Sequence, residues 1–262
     1  MRNRLLNLFS RNAKRGAGIF AEGNVIYLYD FIAGSESDAA WWGGISAEGF
    51  TKQLLGMEGD VKIRIDCPGG DVFGGRAIAQ AIREYPGTVT CQVDGLAASA
   101  ASYIAIAGDT VVMAPGSFMM IHKAWTIALG NSDDLAAEAV VLGKIDDSIA
   151  ASYAAKAGDG DADWLALMKA ETWLTAQEAL DYGLADEVLS ETVNKASNAV
   201  GRKTWDLTAF VHPPVDEIAI ADDEPEVIEP APIAPDPEVN DVLNEIAARE
   251  RGLTVALLLR AA

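Results

Sequence analysis

Between residues 24 and 191 the spacing of apolar and polar positions changes repeatedly from that of a strand to that of a helix. Strand signals, rich in β-branched residues or alternating as in Val61–Cys67, occur at residues 24–31, 61–67, 88–93, 110–113, 118–121 and 187–189. Helical spacing occurs at residues 46–55, 75–85, 97–107, 132–157, 161–169 and 175–182, with Ser46 and Ser132 as the predicted N-caps. This alternation predicts an α/β domain of repeated strand–helix units around a buried, largely parallel sheet, over residues 24–195.

Negative charge is concentrated in the C-terminal part of the chain. The 262 residues carry a formal net charge of −19, and eleven acidic residues without any Lys or Arg lie between Asp216 and Glu245. Seven of the ten prolines fall within residues 213–237. Because proline restricts φ and like charges repel, residues 196–238 are predicted to be an acidic, Pro-rich linker. Residues 239–262 return to helical spacing and are predicted to be a short helical segment that docks on another surface.

The N-terminal residues have the opposite charge. Five basic residues precede the first acidic residue, Glu22, so residues 1–23 are predicted to be a basic N-terminal arm. Their apolar run is broken by Asn7 and is too short for a signal peptide, and no stretch reaches the roughly 18 consecutive apolar residues of a membrane span. The two cysteines, Cys67 and Cys91, fit a reducing compartment such as the cytoplasm. The acidity of the chain argues against a nucleic-acid partner.

The first feature that could carry chemistry is Asp66-Cys67-Pro68-Gly69-Gly70-Asp71, a turn at the end of a predicted buried strand. Glycines allow a peptide backbone to approach closely and allow N–H groups to face a cleft. The same residues are also typical of an ordinary tight turn. A phosphate-binding loop is excluded, because no Lys-Ser or Lys-Thr pair follows the glycines.

The second feature is the run of small residues from Gly95 to Ser102, where a predicted strand passes into a helix. A Ser99 hydroxyl at such a junction would be exposed, and the N–H groups at the start of the helix could stabilise a developing oxyanion. The alternative is that Ser99 is a helix N-cap and Ser102 a small packing residue.

The third feature is His122, which follows the predicted strand at residues 118–121. The chain has two histidines, and the other, His212, lies beside Pro213 at the edge of the predicted linker. An imidazole at a strand end is suited to general-base catalysis, although a single histidine is more often structural. A metal site is not indicated, because no second histidine or cysteine stands at ligand spacing.

Together these features resemble the ClpP family of serine proteases. The matching motifs occur in the family's order and spacing at residues 66–70, 95–102, 119–122 and 172–186. The resemblance covers about residues 24–191. It implies a ClpP/crotonase-type fold, extended here by an acidic Pro-rich tail ending in a helix, and a serine endopeptidase that needs no metal or organic cofactor.

The resemblance also assigns roles to individual residues. It makes Ser99 the nucleophile and His122 the general base, with the N–H groups of Gly70 and Ala100 as the oxyanion hole.

The acid of the family stands two residues before the aromatic residue of its Phe-Leu-Ser-Ala-type stretch. Here that stretch begins at Trp173, so the acid position falls on Glu171 instead of an aspartate. A longer carboxylate can still orient an imidazole if the backbone lies slightly further away. Asp163 and Asp181 are the alternatives if Glu171 points elsewhere.

The segments Tyr27–Asp30 and Trp41–Ala47 look like the ClpP-related proteases of bacteriophage head-assembly modules. This resemblance implies capsid or scaffold proteins as substrates, and a location in the host cytoplasm or the procapsid interior. The acidic tail is consistent with a tether of the kind that assembly proteases carry. The residues before Asn24 do not resemble the family segment that contacts an unfoldase ring, which argues against an unfoldase ATPase as partner.

The long predicted helix at residues 132–157 occupies the place of the family's handle helix, and it carries more apolar residues than one buried face requires. It is either a core helix or part of an intersubunit contact, and the resemblance implies a homo-oligomeric ring. Other functions remain open at this point. They are a housekeeping Clp proteolytic subunit that works with an unfoldase, a non-catalytic assembly protein with a vestigial protease domain, a crotonase-like acyl-CoA enzyme, and a Ser–Lys peptidase using Lys62 or Lys123.

Overall fold

The computed structural model of the protein describes residue 8 and residues 11–12, 18–158, 160–190 and 205–214, all within one compact unit, Met1–Pro214. The strands among these residues are β1 (Gly18–Glu22), β2 (Val25–Tyr29), β3 (Val61–Cys67), β4 (Val89–Ala98), β5 (Thr110–Met113), β6 (Phe118–Ile121), β7 (Thr172–Thr175) and β8 (Glu187–Val188). The helices are α1 (Glu36–Trp42), α2 (Ala47–Leu55), α3 (Val72–Glu84), α4 (Ala100–Ala105), α5 (Ser132–Ala157), α6 (Trp164–Lys169) and α7 (Ala176–Asp181). The C-terminal helical segment predicted at residues 239–262 and most of the predicted linker lie outside the described residues.

The predicted α/β fold with a largely parallel sheet is confirmed. The strands follow the order β1-β2-β3-β4-β5-β8, and β2, β3, β4, β5 and β8 pair in parallel. β1 pairs antiparallel with β2, and β7 pairs antiparallel with β6. Ile63 and Ile65 in β3 and Val93 in β4 are fully buried, because helices cover this face of the sheet as parallel sheets require.

Strand β4 is longer than predicted. The sequence predicts a strand over residues 88–93 and a helix from residue 97, whereas the strand continues to Ala98 and α4 begins at Ala100. The first half of β4 pairs with β5, and Leu96–Ala98 pair with β6 instead. Small residues after Gly95 have low intrinsic strand propensity, and this tertiary pairing overrides it.

One predicted N-cap is confirmed and the other is wrong. Ser46 caps α2, and its Oγ accepts a hydrogen bond from the N–H of Gly49 at 3.0 Å. Helix α5 is capped by Asn131, not by Ser132. Asn131 Oδ1 accepts from the N–H of Asp134, and the Asp134 carboxylate accepts from the N–H of Asn131. Ser and Asn are similar N-caps, so the reciprocal acidic partner three residues later selects Asn131.

The folded unit includes segments at both ends that the sequence pattern does not predict as structured. β1 adds a strand before residue 24, where a basic arm was expected. Ala209 and Phe210, in the predicted linker, are buried in a small apolar cluster with Leu8, Ala98 and Met120. We call residues 205–212 the C-terminal strap. The cluster lies beside β4 and β6, the strands that carry the candidate site.

Helix α5 has both a buried and an exposed apolar part. Ile149 and Tyr153 in its second half belong to the core. In its first half Leu135, Val140 and Val141 are 45%, 60% and 46% exposed. The second half of α5 therefore packs in the core, and the exposed apolar residues of its first half are available for an intersubunit contact. Among the residues that the structure describes, no helix is both long and apolar enough to cross a membrane.

Candidate active site

Three of the predicted site residues follow the carboxyl ends of neighbouring parallel strands. Gly70 follows β3, Ser99 follows β4 and His122 follows β6. Since β4 pairs in parallel with both β3 and β6, these strand ends lie at the same edge of the sheet. Ligand sites of open α/β sheets form at this edge, because the loops that leave the strands converge there.

Ser99 lies at a sharp turn between β4 and α4. Its backbone adopts φ +54° and ψ −124°, a left-handed conformation that costs a non-glycine residue of order 1–3 kcal/mol. The turn is held by the Ser99 N–H, which donates to the carbonyl of Met120, and by Ser102, whose hydroxyl donates to the carbonyl of Ser99. Ser99 occupies the N-cap position of α4, but its side chain makes no capping hydrogen bond. The alternative reading of Ser99 as a capping side chain is therefore wrong.

The Ser99 hydroxyl contacts His122 instead. A hydrogen bond of 2.7 Å joins Ser99 Oγ to His122 Nε2. His122 is 9% exposed, and its ring packs edge-on against Trp125 and Phe210, with centroid distances of 4.5 and 5.7 Å. A hydroxyl within hydrogen-bond reach of a buried, packed imidazole is the arrangement of an activated serine nucleophile.

Glu171 is placed beside His122 by the pairing of β6 with β7. This antiparallel ladder ends at the pair of Ile121 with Thr172, so His122 and Glu171 are the residues that adjoin its last pair. Glu171 is 8% exposed and also adopts a positive φ of 53°. The fold thus brings the predicted acid position next to the predicted base.

The carboxylate of Glu171 binds the C-terminal strap. Its Oε1 accepts hydrogen bonds from the backbone N–H groups of Val211 and His212, the latter at 2.8 Å, and from Trp173 Nε1 at 3.5 Å. The sequence pattern does not indicate these contacts, because they join residues about 40 positions apart. The strap is therefore part of the surroundings of the site.

The alternative acids have other partners. Asp163 is the N-cap of α6, and its Oδ1 accepts from the N–H of Ala166 at 3.0 Å. Asp181 Oδ1 accepts from Gln177 Nε2 at 2.9 Å on the exposed side of α7. Both are bound within their own helices, as expected for structural or surface carboxylates.

The two lysines considered as alternative bases also have partners away from Ser99. Lys62 Nζ donates to Gln92 Oε1 at 3.3 Å, and Lys123 pairs with the buried Asp146 at 3.3 Å. The Ser–Lys alternative therefore has no support from the geometry.

The glycine turn after β3 approaches the serine closely. A Cβ at Gly69 would lie 2.6 Å from Ser99 Cβ, and one at Gly70 would lie 2.2 Å from the carbonyl oxygen of Ile32. Both glycines have positive φ, so only glycine fits without strain. Gly70 and Ala100 both line the cavity next to Ser99. Both predicted oxyanion-hole residues therefore border the same cavity as Ser99.

The two cysteines are unsuited to nucleophilic catalysis. Cys67 and Cys91 are fully buried, and burial raises the pKa of both thiols, that of Cys91 to about 12. A thiol with a raised pKa is not ionised near neutral pH and is a poor nucleophile. Although Cys67 immediately precedes the Pro68-Gly69-Gly70 turn, the side chain that contacts an imidazole at this sheet edge is Ser99.

A cavity of about 260 Å³ opens beside the serine–histidine pair. Its lining includes Ser99, Gly70 and His122, and most of the other lining residues come from α3 and α5. The apolar lining from α5 comes from Val141, Leu142, Ile145 and Ile149, and the charged side chains in the lining include Arg76 and Glu138. Sequence reasoning did not identify the residues of this wall, because α3 and α5 meet only in the folded chain.

The protein has an α/β fold, and the hydrogen-bonded pair Ser99–His122 has the geometry found in serine hydrolases. Comparison with known proteins identifies the family. The sequence model of the Clp protease family matches residues 45–192, which is more than half of the chain. The chain therefore belongs to the Clp protease family.

Relatives in this family are moderately similar. The ATP-dependent Clp protease proteolytic subunit of Deinococcus radiodurans is 31% identical over 137 residues, which cover 52% of this chain and 67% of that one. The corresponding subunit of Bacteroides fragilis is 34% identical over 133 residues, covering 50% and 64%. The chain thus spans about two thirds of the length of these relatives.

A solved structure is similar in fold. A ClpP1 point mutant from Listeria monocytogenes superposes with a TM-score of 0.55 at 25% sequence identity. The match covers 64% of this chain and 91% of the Listeria chain. The match therefore includes nearly all of the Listeria chain, whereas about a third of the present chain has no counterpart in it.

Proposed function

We propose that this chain is a serine endopeptidase in which Ser99 is the nucleophile, His122 the general base and Glu171 the residue that orients His122. The observation that carries the proposal is the 2.7 Å hydrogen bond between Ser99 Oγ and His122 Nε2, made by a serine held at φ +54°. Strained backbone at a strand-to-helix turn is typical of exposed catalytic serines, since it directs the hydroxyl out of the sheet.

Each residue has a defined role in this mechanism. His122 Nε2 takes the hydroxyl proton while Ser99 Oγ attacks the peptide carbonyl carbon, and the N–H groups of Gly70 and Ala100 stabilise the oxyanion. His122 then gives the proton to the leaving amine, and an acyl-enzyme forms. Water, activated by the same imidazole, hydrolyses the acyl-enzyme and restores Ser99.

Replacing the nucleophile tests the proposal directly. In the full chain, Ser99→Ala should lower peptide hydrolysis by at least about 10⁴-fold and abolish labelling by a fluorophosphonate probe, because no other group can form the acyl-enzyme. Circular dichroism should be unchanged. Since both thiols are buried, iodoacetamide should leave wild-type activity intact. Retained cleavage in the Ser99→Ala variant would overturn the assignment.

The two histidines provide a matched control for the base. His122→Ala should lose activity to a similar degree as Ser99→Ala. His212→Ala should keep it, because His212 contacts Glu171 through its backbone N–H, which the substitution preserves. Equal losses in both histidine variants would show that the effect is not specific to the base.

For the substrate, we propose capsid or scaffold proteins of a phage head, cleaved in the host cytoplasm or the procapsid interior. The support is the similarity of residues 27–30 and 41–47 to phage assembly proteases and the acidic tail that follows the protease domain. The test is co-expression of the chain with phage capsid and scaffold proteins, followed by mass spectrometry. The proposal requires cuts in those proteins that disappear with Ser99→Ala.

A second candidate function is that of a proteolytic subunit working with an ATP-driven unfoldase. The names of the relatives from Deinococcus and Bacteroides, ATP-dependent Clp protease proteolytic subunits, favour it. The two candidates differ in their need for a partner. A housekeeping subunit should degrade a folded reporter protein only with an unfoldase and ATP, whereas an assembly protease should cut its substrates without either.

The proposed assembly is a homo-oligomeric ring. Its support is the exposed apolar surface of α5, formed by Leu135, Val140 and Val141, together with membership of the family. Analytical ultracentrifugation of the full chain should show a species much larger than 27.7 kDa. Charged substitutions at Val140 and Val141 should reduce its size.

A further inference from the structure

The carbonyl group of Ser99 is held by buried hydroxyl groups that the proposed mechanism does not use. Ser102, three residues later on α4, is fully buried, and its Oγ lies 2.6 Å from the carbonyl oxygen of Ser99. The same Oγ lies 2.8 Å from the hydroxyl oxygen of Tyr153, a residue of α5 that is 2% exposed. A side chain from α5 is therefore linked, through one other hydroxyl, to the backbone of the proposed nucleophile.

The direction of these two hydrogen bonds follows from the number of hydrogens available. A carbonyl oxygen can only accept, so the single hydroxyl hydrogen of Ser102 is donated to Ser99. The hydrogen bond between Ser102 and Tyr153 is then donated by Tyr153. Burial raises the pKa of the Tyr153 phenol, so the phenol keeps its hydrogen near neutral pH. The donors thus run in one direction, from Tyr153 through Ser102 to the Ser99 carbonyl.

The Ser99 carbonyl belongs to the same peptide group as the N–H of Ala100, one of the two proposed oxyanion donors. This peptide bond is trans, so its C=O and its N–H point in opposite directions. A contact that fixes the direction of the carbonyl therefore also fixes the direction of the N–H. The Ala100 nitrogen lies beside the glycine turn, since a Cβ at Gly69 would be 3.2 Å from it. The donor is thus oriented by contacts at the other end of its peptide group.

The backbone at Ser99 depends on such contacts because its φ is +54°. A non-glycine residue stays in this conformation only where the surrounding structure holds it. The N–H of Ser99 donates to the carbonyl of Met120, which ties one side of the turn to β6. The N–H of Ser102 also donates to the Ser99 carbonyl, at 3.0 Å, but this bond stays within the first turn of α4. The contact with Tyr153 is what ties the other side of the turn to α5.

We infer that Tyr153 is a positioning residue for peptide hydrolysis, which acts through Ser102 to hold the Ser99–Ala100 peptide group in the orientation that stabilises the oxyanion. This inference rests on the proposed peptidase function. The oxyanion forms only during the reaction, so loss of this hold should lower kcat with little change in KM. Removing a whole oxyanion donor lowers kcat by about 10²–10³-fold, and a misdirected donor should cost part of that factor.

A single oxygen atom can be removed to test the inference in the full chain. Tyr153→Phe keeps the ring that packs against Trp164, and it should lower kcat about tenfold while KM stays within about twofold. The inhibition constant of a peptide boronate should rise by about the same factor as kcat falls, because its tetrahedral adduct with Ser99 resembles the reaction intermediate. Tyr85→Phe is the matched control. The Tyr85 hydroxyl donates to the carbonyl of Gly59 at 3.0 Å, before the start of β3, and its loss should leave these constants unchanged.

Variants of Ser102 separate positioning from stability. Ser102→Ala should lower both kcat and the urea midpoint of unfolding, because the buried Tyr153 hydroxyl loses its acceptor. The double variant Ser102→Ala/Tyr153→Phe has no unsatisfied hydroxyl, so the midpoint should partly recover while kcat stays low. Ser117→Ala is the control: its buried hydroxyl also donates to a carbonyl three residues earlier, that of Ala114, at 2.7 Å. It should lower the midpoint and keep kcat.

The possible failures give different results. If the wild type cleaves peptides and Tyr153→Phe keeps its kcat and its boronate affinity, or changes KM alone, the inference is wrong and the peptidase proposal stands. The inference is also wrong if kcat recovers together with the urea midpoint in the double variant, since the loss would then follow stability. A wild-type chain that cleaves no peptide would contradict the peptidase proposal, and the positioning role would fall with it.

Discussion

At the scale of residues, Glu171 has two sets of neighbours. It adjoins Thr172, which pairs with Ile121 next to His122, and its Oε1 binds the backbone N–H groups of Val211 and His212. A carboxylate fixed by two backbone donors has a defined position, which is what a residue that orients an imidazole requires.

A substitution at Glu171 tests this role. Glu171→Gln removes the charge but keeps an oxygen for the backbone donors, so the fold should persist while kcat falls by about 10²-fold or more, because the imidazolium formed during attack loses its stabilising charge. Steady-state kinetics and fluorophosphonate labelling rates measure the effect. Asp163→Asn and Asp181→Asn serve as controls and should retain activity. A larger loss in either control than in Glu171→Gln would assign the acid elsewhere.

At the scale of elements, the start of α5 depends on one capping box. Asn131 and Asp134 exchange side-chain hydrogen bonds with each other's N–H groups, which satisfies two of the donors that every helix start exposes. The preceding residues 123–130 contain neither helix nor strand, and Trp125 among them packs against His122. The cap thus sets the point at which this segment ends and the cavity wall begins.

The cap can be tested by two neighbouring substitutions. Asn131→Ala should lower the free energy of unfolding by about 1 kcal/mol, because the N–H groups of Asp133 and Asp134 lose their acceptor. Ser132→Ala, one residue later, should change it by less than about 0.5 kcal/mol, since Ser132 is already within the helix. Urea unfolding followed by circular dichroism distinguishes them, and the reverse order would contradict the observed cap.

At the scale of the whole folded unit, the two ends of the described chain meet beside the active site. Asn12 exchanges hydrogen bonds with the backbone of Asp206, and Arg11 pairs with the Asp206 carboxylate at 3.1 Å. In the strap, Trp205 Nε1 donates to Asp66 Oδ1, and Phe210 packs against the rings of His122 and Trp173. The strap therefore holds both the base and the acid of the proposed mechanism.

Truncation separates the strap from the tail. A chain ending at His212 should keep peptide hydrolysis, because the strap contacts remain. A chain ending at residue 204 should lose at least about tenfold in kcat/KM and about 2 kcal/mol in unfolding free energy, through the lost burial of Phe210 and the lost partners of Glu171. Phe210→Ala in the full chain should reproduce part of both losses. Full activity in the shorter chain would show that the strap is dispensable.

The alternation of strand and helix, the parallel sheet and the turns after its strands could be predicted from the sequence, because they depend on local spacing and on glycine or small residues at fixed positions. The strands at residues 61–67, 110–113 and 118–121 agree with the structure. Ser99 and His122 could be singled out for the same local reason, since each follows an apolar strand. The resemblance to ClpP then supplied Glu171, Gly70 and Ala100.

Tertiary structure alone decided the rest. The extension of β4 to Ala98 depends on pairing with β6, and the strap depends on contacts with residues far away in sequence. Neither feature produces a recognisable pattern in the local sequence. The cavity beside Ser99 is likewise invisible in the sequence, where the residues that line it are far apart. It forms only when α3 and α5 meet beside the turn that carries Ser99, because packing between elements distant in sequence decides which side chains share one space.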